Sequence, residues 1–358
     1  MTRIIRKKGC HLPNKKKTHS LILILMGVGV LLLALASVFI GSSHMTLSEG
    51  FAALMRKGTA AQTRIIWNIR IPRVLAAVIA GAGLSLSGLI MQTTLRNPLA
   101  SPSVLGVSNA AVFGANLSII AFAGGFLVTG NNPRDFALGA NPYATSVMAF
   151  LFAALSILVI LALCRVRSFS PNVVVLAGVA IGSVWTALTT ILQFYATDVG
   201  LSAAVIWSFG DLGRATYETD LIMAVVILVG VVFFSLMSWR YNALLSGDDT
   251  ARTMGIRVDL LRFFSLLFAS LITAVCVSFL GVIGFVGIIC PHVMKRILGQ
   301  DHRVSIPASI LAGSILLVLA DTFSRSIGNG SALPVGAITS MLGAPFFLAI
   351  IFGRRPHA

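Results

Sequence analysis

Residues 244–262 read LLSGDDTARTMGIRVDLLR, a polar island in a chain that is otherwise mostly apolar. Before it lies the uncharged run 221–239, and after it no Lys, Arg, Asp or Glu appears until Lys295. Asp248 and Asp249 stand just ahead of ARTMG. Carboxylates in that place accept from free backbone N–H groups and suit the positive end of a helix dipole. Gly255 closes the segment, because glycine takes the left-handed turn without strain. The pattern predicts a short helix over 249–254, outside the membrane and between two spans. A charged helix held stiffly in that position can pass force from a soluble partner into a bundle. Composition alone favours an ordinary solvated loop.

The flanks of the island decide the class. Of 358 residues, 57% are hydrophobic and 11% charged, with a mean hydropathy of +0.94. That balance belongs to a chain whose solvent is lipid. The net charge of +16 does not mark a nucleic-acid binder, since no basic patch is interleaved with aromatics. Seven basic residues lie within 1–17, directly before the uncharged run 21–41, which is an orientation signal for a membrane helix. Residues 1–41 also imitate a signal peptide, with Ala34-Leu35-Ala36 as a candidate cleavage site. An apolar run of 21 residues is long for such a peptide and right for a span, so 21–41 is read as an uncleaved first helix. Cys10, Cys164, Cys276 and Cys290 are scattered without a CxxC pair and imply neither a disulfide framework nor a metal site.

A helix needs about 20 apolar residues to cross a bilayer. Most uncharged windows hold one such helix and a loop. The run 263–294 is longer and is interrupted by Gly281, Gly284 and Gly287. It is read as two short helices joined by a tight turn and shielded inside the bundle, as broken helices at membrane depth must be. The chain is then all-α and polytopic, with ten helices over 21–41, 72–95, 102–124, 143–164, 171–196, 220–239, 262–280, 282–298, 305–324 and 333–353. An even number puts both termini on one side. That side carries 19 Lys/Arg and 4 acids, against 8 and 7 on the other. The positive-inside rule therefore places both termini, and the island, in the cytoplasm. The organisation is a basic segment 1–20, one transmembrane domain 21–353 and a tail 354–358. Segments 84–110 and 283–313 echo one another weakly, each with a Gly-rich helix end and a polar hairpin.

Chemistry is mostly absent. No G-x-x-x-x-G-K-[ST] motif exists for ATP, and the six histidines form neither HExxH nor a His/Asp cluster. No catalytic, cofactor or metal site is expected, and His292 after Pro291 reads as a helix-end residue. An ion-coupled carrier would want an acid deep in a helix. Asp321 is the candidate, but Arg325 lies four residues on, so a local ion pair is the simpler reading. Arg70 and Arg73 in IRIPR flank the mouth of helix two, since Pro72 suits a first turn, and Arg325 lies on the same outer side. These three either snorkel to headgroups or dock an acidic partner.

Several stretches together carry a resemblance: IRIPRVLAAVIAGAGLSLSGLIMQ (69–92), RNPLASPSVLGVSNAA (96–111), LAGVAIG (176–182), GDDTARTMGIRV (247–258), GVIGFVGIICPHVMKRILGQDHR (281–303), LADTFSR (319–325) and LPVGAITSMLGAPFF (333–347). The chain closely resembles permease subunits of type II ABC importers for iron–siderophore chelates, haem and cobalamin. Residues 1–60 and 125–143 match poorly. The resemblance implies a second permease subunit (identical or a close paralogue), two cytoplasmic ATPase subunits and an extracytoplasmic binding protein. It implies that Asp248, Asp249, Thr250, Ala251, Arg252, Met254 and Gly255 form the coupling element on the ATPase. It places Arg70, Arg73 and Arg325 where family members meet glutamates of the binding protein, and Ser170, Pro171 and Asn172 at the cytoplasmic gate. Iron–siderophore is the expected cargo, with haem and cobalamin as alternatives; an ion-coupled secondary transporter is the rival class. One departure is Ala332-Leu333-Pro334, where the family usually reads Glu-Leu-Pro. With that acid gone, Arg325 either leans on Asp321 or is freer to meet a partner.

Overall fold

The computed structural model describes residues 15–41, 45–122, 141–166, 170–327 and 332–352. The basic head up to residue 14, the tail and most of 125–143 lie outside these. Seven helices are long and apolar enough to cross a membrane: Lys17–Phe39, Ala60–Thr94, Pro142–Arg165, Pro171–Phe194, Tyr217–Leu236, Val258–Leu280 and His302–Ile327. Each falls on one of the ten expected spans. The other three expected spans hold shorter helices.

In chain order the elements are α1 (Lys15–Phe39), α2 (Leu47–Leu54), α3 (Ala60–Arg64), α4 (Ile71–Thr94), α5 (Val107–Asn116) and α6 (Pro142–Val166). They continue as α7 (Pro171–Phe194), α8 (Asp198–Ser208), α9 (Tyr217–Leu236), α10 (Ser238–Leu245) and α11 (Asp248–Thr253). The chain ends with α12 (Val258–Leu280), α13 (Val286–Leu298), α14 (His302–Ile327) and α15 (Val335–Phe352). Local chemistry explains most starts. Thr46 with Glu49 and Thr59 with Gln62 form capping boxes for α2 and α3. Ser170 caps α7 through the Val173 N–H, with Pro171 at the first helical position.

α4 is the spine. Every residue from Ala80 to Thr94 is buried. Association inside a membrane gains little from hiding apolar surface, so helices approach through small residues instead. A methyl group on Gly88 would sit 1.8 Å from the Gly287 carbonyl of α13, and one on Gly81 would sit 2.4 Å from the Gly313 carbonyl of α14. The two echoing segments therefore pack against each other at Gly88 and Gly287. The turn predicted after residue 280 is present: Gly281 has φ 76° and Phe285 φ 65°. Asp211 N–H reaches the Leu280 carbonyl at 2.8 Å, and Val335 N–H reaches Gly210 at 3.1 Å. Protein thus satisfies the non-helical backbone that lipid cannot.

Three expectations need correction. Helix two does not begin at Pro72; one helical rod runs Ala60–Thr94 through a π-helical stretch at Ile65–Arg70. Pro72, which lacks an N–H, follows the place where the i→i−4 ladder is already interrupted. The island helix is present at Asp248–Thr253, within a residue of the expected place, but neither aspartate caps it, because Gly247 is the N-cap residue. Helix α8 was not foreseen, since the apolar run 171–197 gave no sign of a second, short helix behind it.

Candidate functional site

Charged and polar groups gather at two opposite ends of the bundle. At one end stand Arg70, Arg73 and Arg325. None is on the rim: their exposures are 4%, 7% and 6%. The π stretch and α4 carry Arg70 and Arg73 towards α1 and α14. Arg70 Nη1 donates to the Val38 and Phe39 carbonyls at 2.9 and 3.0 Å, in the last turn of α1. Arg325 Nη1 donates to the Ser37 and Ile40 carbonyls at 3.1 and 2.7 Å. The free carbonyls that end a helix are thereby covered by two cations, which also suit its negative pole. Asp321, fully buried, takes Arg73 Nε on Oδ1 at 2.7 Å and lies 2.9 Å from Arg325 Nε through Oδ2. The local Asp321–Arg325 pair was legible in sequence; the bond from Arg73, 248 residues away, was not. Without a glutamate at 332, Arg325 leans on Asp321 and α1.

Asp220, in the first turn of α9, is a residue that sequence reasoning missed. It is 3% exposed, and neither carboxylate oxygen has a hydrogen-bond partner among the described residues.

At the other end lies α11. Asp249, Thr250, Arg252, Met254 and Gly255 are exposed, whereas Ala251 is buried and Asp248 is half-turned inward. The helix stops as expected. Ile256 N–H bonds to the Ala251 carbonyl at 3.1 Å and Gly255 N–H to Arg252 at 3.0 Å, the two bonds of a Schellman turn, with Gly255 at φ 80°. Behind α11, α10 is pinned to the bundle. Tyr241 Oη bonds Ser265 of α12 at 2.7 Å. Asn242 Nδ2 donates to Asp301 at 2.7 Å, and Asn242 Oδ1 accepts from His302 N and Nδ1, both at 2.8 Å. That acceptor fixes the proton on Nδ1 and leaves Nε2 facing Thr93 Oγ1 of α4 at 2.8 Å. Burial pushes the Asp301 carboxyl up, but the Arg303 N–H, the Asn242 amide and nearby positive charge outweigh it and hold the group below its usual range. Ser170, Pro171 and Asn172 form the start of α7, adjoining residues outside those described.

A bundle of spanning helices around a glycine-packed spine, with charge confined to its ends, has the fold of a type II ABC importer permease. The chain belongs to the FecCD transport family, whose profile matches residues 15–353. It is 44% identical over 345 residues to a protein of Methanocaldococcus jannaschii named as an ABC transporter permease, covering 95% of this chain and 97% of the relative. It is 35% identical over 330 residues to the hemin transport permease of Yersinia pestis, covering 92% and 96%. Further relatives are named for iron chelatin, iron citrate, cobalamin and molybdate. Among solved structures, a metal-chelate type ABC transporter in an inward-facing conformation superposes with a TM-score of 0.79 at 26% identity, over 93% of this chain and 99% of that one.

Proposed function

We propose that the chain is the transmembrane subunit of an ATP-driven importer. With a second permease subunit, identical or closely related, it forms a pathway for an iron chelate handed over by an extracytoplasmic binding protein. Iron–siderophore is the first cargo, with haem and cobalamin as alternatives. The chain contributes no ATP chemistry; two cytoplasmic ATPase subunits supply it. The carrying observation is α11, an exposed charged helix on a rigid base, at the end that the charge tally assigns to the cytoplasm. Asp249, Thr250, Arg252, Met254 and Gly255 meet the ATPase, while Ala251 seats the helix. ATP-driven movement of α11 alternately opens the two ends, with Ser170-Pro171-Asn172 at the inner gate.

The binding protein docks over the arginine end. Because Arg70, Arg73 and Arg325 already hold internal partners, its acids compete for those guanidiniums rather than meeting free charges. The test is reconstitution: the chain with its ATPase subunits in proteoliposomes, binding protein outside, and labelled ferric siderophore, haem or cobalamin offered in turn. ATP-dependent uptake of a ferric siderophore supports the proposal, and uptake of haem or cobalamin alone reassigns the cargo. Uptake driven by an ion gradient without ATP overturns it. Replacing 248–255 by a Gly/Ser linker should leave ATP hydrolysis running while uptake stops.

A further inference from the structure

We infer that Arg96, Asp248 and Arg262 form a positioning clamp that makes α11, the end of α4 and the start of α12 move as one piece. The inference rests on the coupling role proposed for α11. Asp248 opens α11, yet its carboxylate turns back into the protein. Arg262 Nη2 of α12 reaches both carboxylate oxygens at 2.8 Å, and Arg96 Nη2 lies 2.7 Å from Oδ1. Arg262 is 2% exposed and its Nε donates to the Thr94 carbonyl, the last residue of α4, at 3.2 Å. Arg96 Nη2 also donates to the Leu244 carbonyl in the last turn of α10 at 3.1 Å. One carboxylate thus ties together four helix ends. An exposed ion pair would be a weak link. Here one arginine is buried, and losing its anion would strand a charge away from water.

A second, independent observation points the same way. α4 ends in a Schellman turn, with Asn97 N–H on the Gln92 carbonyl at 3.1 Å and Arg96 N–H on Thr93 at 3.3 Å. Arg96 occupies the left-handed position of that turn, at φ 47°. Glycine is the residue that takes this conformation without strain. α11 does place glycine there, Gly255 at φ 80°. α4, like α2 with Arg56 at φ 57°, keeps a strained arginine instead, and here the guanidinium reaches Asp248 and Leu244. The backbone gives up local comfort to hold a side chain on α11.

Arg96→Gly separates the two roles, because it relieves the turn and deletes the clamp together. The measurement is made on the complex with its ATPase subunits and binding protein, in proteoliposomes, with a ferric siderophore as cargo. ATP hydrolysis, uptake and melting temperature are read separately. The expected result is an unchanged or higher melting temperature, hydrolysis within about twofold of wild type, and uptake per ATP lowered by about tenfold or more. Asp248→Asn should lower the same ratio, and Arg96→Lys, which keeps the charge, should restore part of it. If Asp248→Asn fails to assemble, Arg96→Gly carries the test alone. Unchanged uptake per ATP in Arg96→Gly overturns the clamp. So does a fall in melting temperature that accounts for the lost uptake, which would make Arg96 merely structural. A wild-type complex without ATP-driven uptake fails earlier and overturns the coupling role itself.

Discussion

At Asp321 one fully buried carboxylate answers two guanidiniums, Arg73 and Arg325, and the geometry dictates what its loss would do. Asp321→Asn leaves buried Arg325 without its anion and Arg73 with only the exposed Asp211 at 3.5 Å. Breaking such a buried network costs about 3–5 kcal/mol. Thermal unfolding in mild detergent should show a clearly lowered midpoint; an unchanged midpoint would mean that water already solvates the cluster. Asp220 makes the opposite case, since its oxygens have no hydrogen-bond partner among the described residues. Asp220→Asn should be neutral or stabilising by about 1 kcal/mol, because a buried charge without a partner opposes folding. A large loss of stability, or loss of ATP-driven uptake, would show that Asp220 has a working partner. Sequence spacing revealed Asp321 with Arg325, which lie one helical turn apart. It could not reveal Arg73 on Asp321 or Arg96 on Asp248, because those pairs exist only after distant segments pack.

Helices announced themselves through long uncharged runs, and α11 through a charged break between two of them. What stayed hidden was the manner in which elements join. The π stretch before Pro72 continues a rod where proline chemistry promised a beginning, and so it moved Arg70 from a mouth to an interior. The two kinds of glycine separate clearly. Gly255 has open space around it but φ 80°, so Gly255→Ala should cost about 1–2 kcal/mol of α11 order through backbone strain alone. Gly88→Ala meets the Gly287 carbonyl at a distance no methyl tolerates, and folded protein should fall sharply on size-exclusion of the detergent extract. A Gly88→Ala variant eluting like wild type would mean that α4 and α13 can part.

For the molecule as a whole, positive residues collect at the α11 end, and the Asp301 carboxyl beside them sits below its usual range. A depressed carboxyl adds stability above its unfolded value, about pH 4, and loses it as pH falls through the folded one. Acid below pH ~4 should therefore loosen the α10–α14 junction first, and Asp301→Asn should flatten that part of the curve. Hydrogen exchange at residues 238–245 and 299–303 would read it, and equal loosening at the arginine end would contradict the assignment. The glycine contacts have a wider meaning. Between α4, α13 and α14 there is not room for a methyl group, so nothing the size of a chelate threads through them. α7, by contrast, has only 22% of its apolar window buried. On the importer role proposed above, this spine is wall, and the opening for cargo would lie beside it, against a second permease subunit.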